Sequence, residues 1–171
     1  GETYSLTSET SAEEVLIKTF DQFYAVITQN NLEEGFKNQG LNLFQAITLA
    51  SVVQREVGAG DQKQVAQVFY SRLALDMPLG SDVTYQYAAK KLGVTPSPSL
   101  DSPYNTRKYS GLPPGPIASP GYSALQAVAT PAPGDYLYFV SGDDGKTYFS
   151  HTNEQHEANV RQYCHKKCLI P

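Results

Sequence analysis

One carboxylate stands apart in the stretch LASVVQREVGAG, residues 49–60: Glu56 closes an aliphatic run just before a glycine-rich break. At about 100° per residue it shares a helix face with Leu49, Val52 and Val53, while Ser51, Gln54 and Arg55 fall on the other side. An acid on an inward-facing stripe is deprived of water, which disfavours its charge and raises its pKa. The partial negative charge of a helix's last turn pushes the same way. A carboxylic acid that keeps its proton near neutral pH can hand it to a leaving oxygen, so the pattern reads as a general acid. The same spacing also fits a solvated glutamate at a frayed helix end, and the residues by themselves leave both open.

Four further positions carry chemistry. Asp82, in GSDVTYQY, reads as a helix cap or as a second carboxylate facing a cleft. Asn105, in SPYNTR, offers an amide that suits a sugar hydroxyl or acetamido group, or closes an Asx-turn. His156 can orient a substrate or a carboxylate, although a lone histidine is more often structural. Tyr104 belongs to a set with Tyr85, Tyr87, Tyr109 and Tyr122 whose rings suit sugar faces or an amphipathic core. Cys164 and Cys168 sit four apart on what reads as a terminal helix, where a disulfide within one turn would be strained, so two free thiols are expected. His156 and His165 lie near them, but no second ligand pair accompanies them and no metal is expected.

These groups must be held by the surrounding elements. Ser11 and Glu14 form an S-x-x-E capping box that opens a helix through about Thr28, with Val15, Leu16, Phe20, Phe23, Val26 and Ile27 at helical spacing. A polar connector, QNNLEEGFKNQG, leads to Asn42, where NLFQ is a second capping-box pattern opening the helix that ends at REVGAG. A third helix is expected from about Asp61 to Leu75, and Ser81 or Asp82 caps a fourth through VTYQYAAKKLG. Residues 94–121 hold most of the prolines and no stable period, which predicts a long ordered loop packed through Tyr104, Tyr109, Leu112 and Ile117. A short helix at YSALQAVA, a hairpin in YLYFVSGDDGKTYFS and a T-x-x-Q-capped last helix complete the chain. The fold class is therefore α+β: a mostly helical single domain over 1–171 with a small antiparallel hairpin late in the chain and a long Pro-rich loop.

Bulk properties narrow the function. The 171 residues suffice for a substantial core, and 18% charged with 40% hydrophobic residues is an ordinary globular composition. A formal net charge of −4 argues against nucleic acid, since phosphate binding needs clustered Lys and Arg and the densest basic pair is Lys166-Lys167. No apolar run approaches the roughly 20 residues needed to span a bilayer, so no membrane contact is expected of this stretch itself. The chain starts at Gly1 without a signal peptide and reads as an excised piece of a longer protein.

The segments LASVVQRE, VAQVFYSRLALDMPLGSDVTYQY, SPYNTR, GLPPGPIASPG, YLYFV and FSHTNEQH occur in an order and spacing that resemble the YceG-like (MltG) family of endolytic murein lytic transglycosylases. The resemblance spans nearly the whole chain. It implies that an amino-terminal membrane helix and a LysM-like subdomain lie upstream, anchoring the full-length protein at the extracytoplasmic face of the bacterial inner membrane. Glu56 matches the family's catalytic glutamate. Members often carry two acids there, in an E-K-E arrangement; here the first is Gln54, so only Glu56 can serve. Asp82, Tyr104, Asn105 and His156 match motif positions and are expected to line the substrate cleft.

The implied substrate is the glycan strand of peptidoglycan, with cell-wall synthases as possible protein partners. The implied reaction cleaves the β-1,4 bond between N-acetylmuramic acid and N-acetylglucosamine and leaves 1,6-anhydro ends. Because the sugar's own C6 hydroxyl attacks, one glutamate acting first as acid and then as base suffices, and no metal or organic cofactor is needed. A non-catalytic glycan-binding or divisome-interaction domain is the alternative, and a hydrolytic muramidase using Glu56 with Asp82 is a second. The catalytic reading expects Glu56 at the floor of an elongated groove with the 94–121 loop as one wall.

Overall fold

The two capping boxes form as the sequence dictates. In the computed structural model, which describes residues 3–166 and Cys168, Ser11 Oγ accepts the Glu14 N–H at 3.2 Å and Glu14 accepts the Ser11 N–H at 2.7 Å, opening α1 (Ala12–Gln29). Asn42 and Gln45 exchange the same pair of bonds at 2.9 and 3.0 Å and open α3 (Leu43–Glu56). Helix α4 (Gln62–Ala74), α5 (Asp82–Leu92), α6 (Tyr122–Ala129) and α7 (Asn153–Tyr163) follow the expected positions. Strands β1 (Tyr138–Ser141) and β2 (Thr147–Ser150) pair antiparallel, with Phe139 opposite Phe149. The expected α+β class holds among the described residues: seven helices and one two-stranded sheet late in the chain.

Helix α6 sits at the centre and packs against α2 (Leu32–Asn38), α3 and α4. Its Ala124, Leu125, Ala127, Val128 and Ala129 are all buried, which eight residues achieve only when apolar on nearly every side. The partner α2 corrects the reading of residues 29–40 as a connector. Leu32 and Phe36, one turn apart, are buried in the core, and Gly35 lets the helix approach α6. A Cβ at Gly35 would lie 2.7 Å from the Ala129 Cβ, inside van der Waals contact.

Three other expectations change. The stripe on α1 is helical, but Leu16 and Phe20 are 57% and 69% exposed and only Ile27 is fully buried; helical spacing guarantees a stripe, not a partner to cover it. Ser51, assigned to the solvent side of α3, has no exposed surface. Its hydroxyl donates to Thr48 O at 2.7 Å and accepts the Ile117 N–H at 2.9 Å. Gln54 Oε1 accepts the Gly121 N–H at 2.9 Å, so the polar residues of α3 clamp the end of the Pro-rich loop. Cys164 and Cys168 form a disulfide, with Cα atoms 5.5 Å apart. A disulfide at this spacing is strained within a continuous helix, but α7 ends at Tyr163 and Cys164 has left helical geometry.

Residues 94–121 contain no helix or strand, as expected. Ile117 is buried and Tyr104 and Leu112 pack partly buried against the core. Tyr109 is 45% exposed instead, its hydroxyl donating to Asp101 at 2.6 Å. No helix among the described residues is long and apolar enough to cross a membrane.

Candidate active site

Glu56 is the last helical residue of α3, and Val57 after it is already extended. The carboxyl is partly buried and accepts a hydrogen bond from Ser81 Oγ. Ser81 occupies the N-cap of α5 but its side chain makes no capping bond. A hydroxyl in that position ordinarily satisfies the helix's own amides; here it is turned toward Glu56.

A buried hydroxyl network fixes that orientation. Thr106 Oγ1 accepts the Ser81 N–H at 3.1 Å, and Thr106 O accepts the Gly80 N–H at 2.8 Å. Thr84 Oγ1 donates to Ser81 O at 2.6 Å and lies 2.9 Å from Thr106 Oγ1. Ser81, Thr84 and Thr106 are at most 3% exposed, so this network joins the start of α5, the Pro-rich loop and the end of α3 in a region closed to water.

Arg72 of α4 holds the approach to Ser81. Its Nη1 donates to Leu79 O at 2.8 Å and Pro78 O at 3.1 Å, and its Nε donates to Leu137 O at 2.6 Å. Gly80 adopts φ +68°, and a Cβ there would fall 2.6 Å from Arg72 Nη1, so glycine serves both the turn and the guanidinium. The guanidinium carbon also lies 5.1 Å from the Tyr138 ring centroid, and Tyr138 stacks on His156 at 5.4 Å.

Electrostatics at the site follow from these neighbours. Burial pushes Glu56 up to about 7 against the Ser81 hydrogen bond, which favours the charged form; Asp82 raises it further, and Arg107 and Arg72 lower it. Asp82 itself is ion-paired with Arg107, both about half exposed. Burial lowers the His156 pKa, and the positive charge of Arg72 adds to the effect, favouring neutral imidazole. Its Nδ1 is buried without a hydrogen-bond partner.

Replacing Ser81 with alanine removes the strongest influence holding Glu56 down. The titration midpoint of Glu56, read from its carboxyl carbon by NMR, is expected to move above about 7 in Ser81→Ala. A midpoint unchanged or lower would show that the hydroxyl does not govern this proton.

The positions singled out from the sequence are thus distributed unequally. Glu56, Asp82 and His156 belong to one electrostatic neighbourhood around Ser81, Arg72 and Arg107. Tyr104 is partly buried in the loop wall, its ring 5.1 Å from that of Tyr87. Asn105, expected to offer its amide to a ligand, has no exposed surface. Its Nδ2 donates to Pro98 O and Leu100 O at 2.9 and 2.8 Å, and its Oδ1 accepts the Arg107 N–H at 3.0 Å. That last bond is the Asx-turn alternative, so Asn105 shapes the loop that carries Thr106 and Arg107. Sequence reasoning does not single out Arg72 and Arg107, although they lie within VAQVFYSRLALDMPLGSDVTYQY and SPYNTR, and it gives Ser81 no role beyond a helix cap.

The loop does form a wall. A cleft of about 550 Å³ lies between the end of α3, one face of α5 and Ile117–Ala118 of the loop. A second hollow of about 910 Å³ lies between α1, Gln54 and residues 116–122, and the two meet at Ala118. Glu56 lines neither, so neither hollow has it at the floor as expected; of its immediate neighbours in the chain, Arg55, on the other side of α3, lines the first.

Comparison with known proteins gives this geometry a context. The chain is 34% identical over 177 residues to a protein of Streptococcus pneumoniae serotype 2 (strain D39) named endolytic murein transglycosylase, covering 96% of this chain and 31% of that one. A protein of the same name in Bacillus subtilis (strain 168) is 34% identical over 163 residues, covering 93% and 45%. The chain therefore spans less than half the length of these curated relatives. A 2.6 Å crystal structure of a yceG-like protein from Listeria monocytogenes superposes with a TM-score of 0.80 at 36% identity, covering 92% of this chain and 52% of that one. The family model described as the YceG-like family matches residues 1–162, and with the relatives' identity and the shared fold this establishes that the chain belongs to the YceG-like family.

Proposed function

We propose that this chain carries the catalytic centre of a peptidoglycan lytic transglycosylase, with Glu56 as the sole acid and base. The observation that carries the reading is a partly buried carboxyl at the end of α3, raised to about 7 and oriented by Ser81. Relatives named endolytic murein transglycosylases supply the substrate class.

In the proposed reaction, the Glu56 proton passes to the glycosidic oxygen as the bond from muramic C1 to that oxygen breaks. The cationic centre left at C1 is closed by the C6 hydroxyl of the same sugar. Glu56, now a carboxylate, takes the hydroxyl proton and is restored. No water enters, and no second carboxylate is required. Asp82 sits close enough to raise Glu56 but is bound by Arg107, which suits an electrostatic role better than that of nucleophile. The reading implies a location outside the cytoplasmic membrane, where murein lies. The Cys164–Cys168 disulfide accords with an oxidising compartment.

The test is the mass of the products. Purified murein digested with this chain is expected to yield fragments ending in 1,6-anhydro-muramic acid, lighter by one water than the hydrolytic products. Reducing ends carrying ¹⁸O from labelled water would instead establish a muramidase, and retention of murein without fragments would establish a binding domain.

A further inference from the structure

The 550 Å³ cleft between the end of α3 and one face of α5 has a composition that the cleavage of a sugar bond does not call for. Val83, Tyr87, Lys90 and Lys91 fall on one face of α5, while Thr84, Tyr85, Ala88 and Ala89 form its buried face. Arg55, from the exposed side of α3, joins Lys90 and Lys91 in lining the cleft, and Val83 with Ile117 gives it apolar walls. None of the three cations has an ion-pair partner among the described residues, and no carboxylate lines the cleft. Lysines in a helix's last turn serve its dipole wherever they point. Here, however, cations from two helices converge on one hollow in a chain whose formal net charge is −4.

A glycan strand is neutral in its hydroxyls and acetamido groups. Its carboxylates come from the peptides attached to the muramoyl lactyl groups, or from the lactyl groups themselves where no peptide is attached. A single lactyl carboxylate needs one cation and little volume. A peptide with several carboxylates and small methyl side chains needs a longer cationic trough with apolar walls, which is what this cleft provides. We propose that the cleft lined by Arg55, Lys90 and Lys91 is a subsite for the acidic stem peptide of the strand being cut. The inference rests on the transglycosylase reading and adds to it a substrate preference for peptide-bearing over bare strands.

The experiment compares three uncross-linked substrates: strands carrying stem peptides, the same strands with their peptide carboxyls amidated, and strands stripped by an amidase. The chain is expected to show a kcat/KM about tenfold higher on the first than on either of the others, the sum of a few exposed ion pairs. The preference should shrink with added salt. In an Arg55→Gln, Lys90→Gln, Lys91→Gln variant the preference should fall to near unity, while Lys90→Arg, Lys91→Arg should retain it. Equal rates on all three substrates, faster cutting of stripped strands, or a preference that survives in the triple variant would each overturn the proposal. If no substrate releases fragments, the transglycosylase reading fails. The subsite is then decided by binding: tighter retention of peptide-bearing than stripped or amidated strands supports it, and equal retention overturns it.

Discussion

Glu56→Gln is expected to lower the release of anhydro-ended fragments from purified murein by about 10²–10⁴-fold, the usual contribution of a general acid. Glutamine keeps the shape of the side chain and an Oε1 that can still accept the Ser81 hydroxyl, so the site should remain assembled. What it loses is the proton. In the unaltered chain the same proton sets the pH dependence. With Glu56 at about 7, kcat/KM should be level in mild acid and fall about tenfold per pH unit above neutrality, because only the protonated form can donate. Circular dichroism and strand retention should match the unaltered chain. A variant that still released fragments at the original rate would remove Glu56 from the mechanism, and Asp82 would be the next carboxylate to consider.

The sequence disclosed helices where an amphipathic period and a capping box coincided. Ser11–Glu14 and Asn42–Gln45 set the starts of α1 and α3, and both form with reciprocal bonds. Helix α2 escaped because seven residues span too few periods, and Gly35 with a run of amides suggests a linker. Its signals were local: Leu32 and Phe36 one turn apart, Glu33 and Glu34 at the start and Lys37 at the end, as the helix dipole favours. Burial of Ser51 was illegible for another reason. A serine on the far side of a helix is a surface residue unless something polar docks there, and the docking group is the Ile117 amide, 66 positions away.

The candidate site shows the same division. Glu56 could be singled out because its environment is written into its own helix, through Leu49, Val52 and Val53. Its partner could not, because Ser81 lies 25 positions away and the rules of helix capping account for it fully. Thr84 and Thr106 are 22 positions apart and carry no periodicity that would join them. Asn105 was legible as a special residue but not as a buried one: its amide satisfies the carbonyls of Pro98 and Leu100, which a loop without secondary structure leaves unpaired. Hydroxyl networks of this kind become visible only after the fold has brought distant loops together.

Glu56→Gln should also stabilise the chain, and only above mild acidity. The folded chain holds the Glu56 proton up to about 7, whereas an ordinary glutamate releases it near 4.5. Below 4.5 both folded and unfolded forms are protonated and the glutamate carries no penalty. As pH rises from 4.5 to 7 the unfolded chain ionises first, so it binds fewer protons and stability falls; above 7 the loss is complete. That gap corresponds to about 3 kcal/mol if fully expressed, and partial exposure of the carboxyl reduces it to about 2 kcal/mol. Glutamine never ionises, so the variant should match the unaltered chain below pH 4.5 and melt about 4–8 °C higher at pH 8. Thermal melts of both proteins between pH 4 and 9 provide the comparison. A difference that does not change with pH would mean that burial has not raised the Glu56 pKa. If instead the stability difference levels off at the pH where activity begins to fall, one proton governs both, and the instability that Glu56 imposes on the fold is a direct consequence of keeping an acid ready at neutral pH.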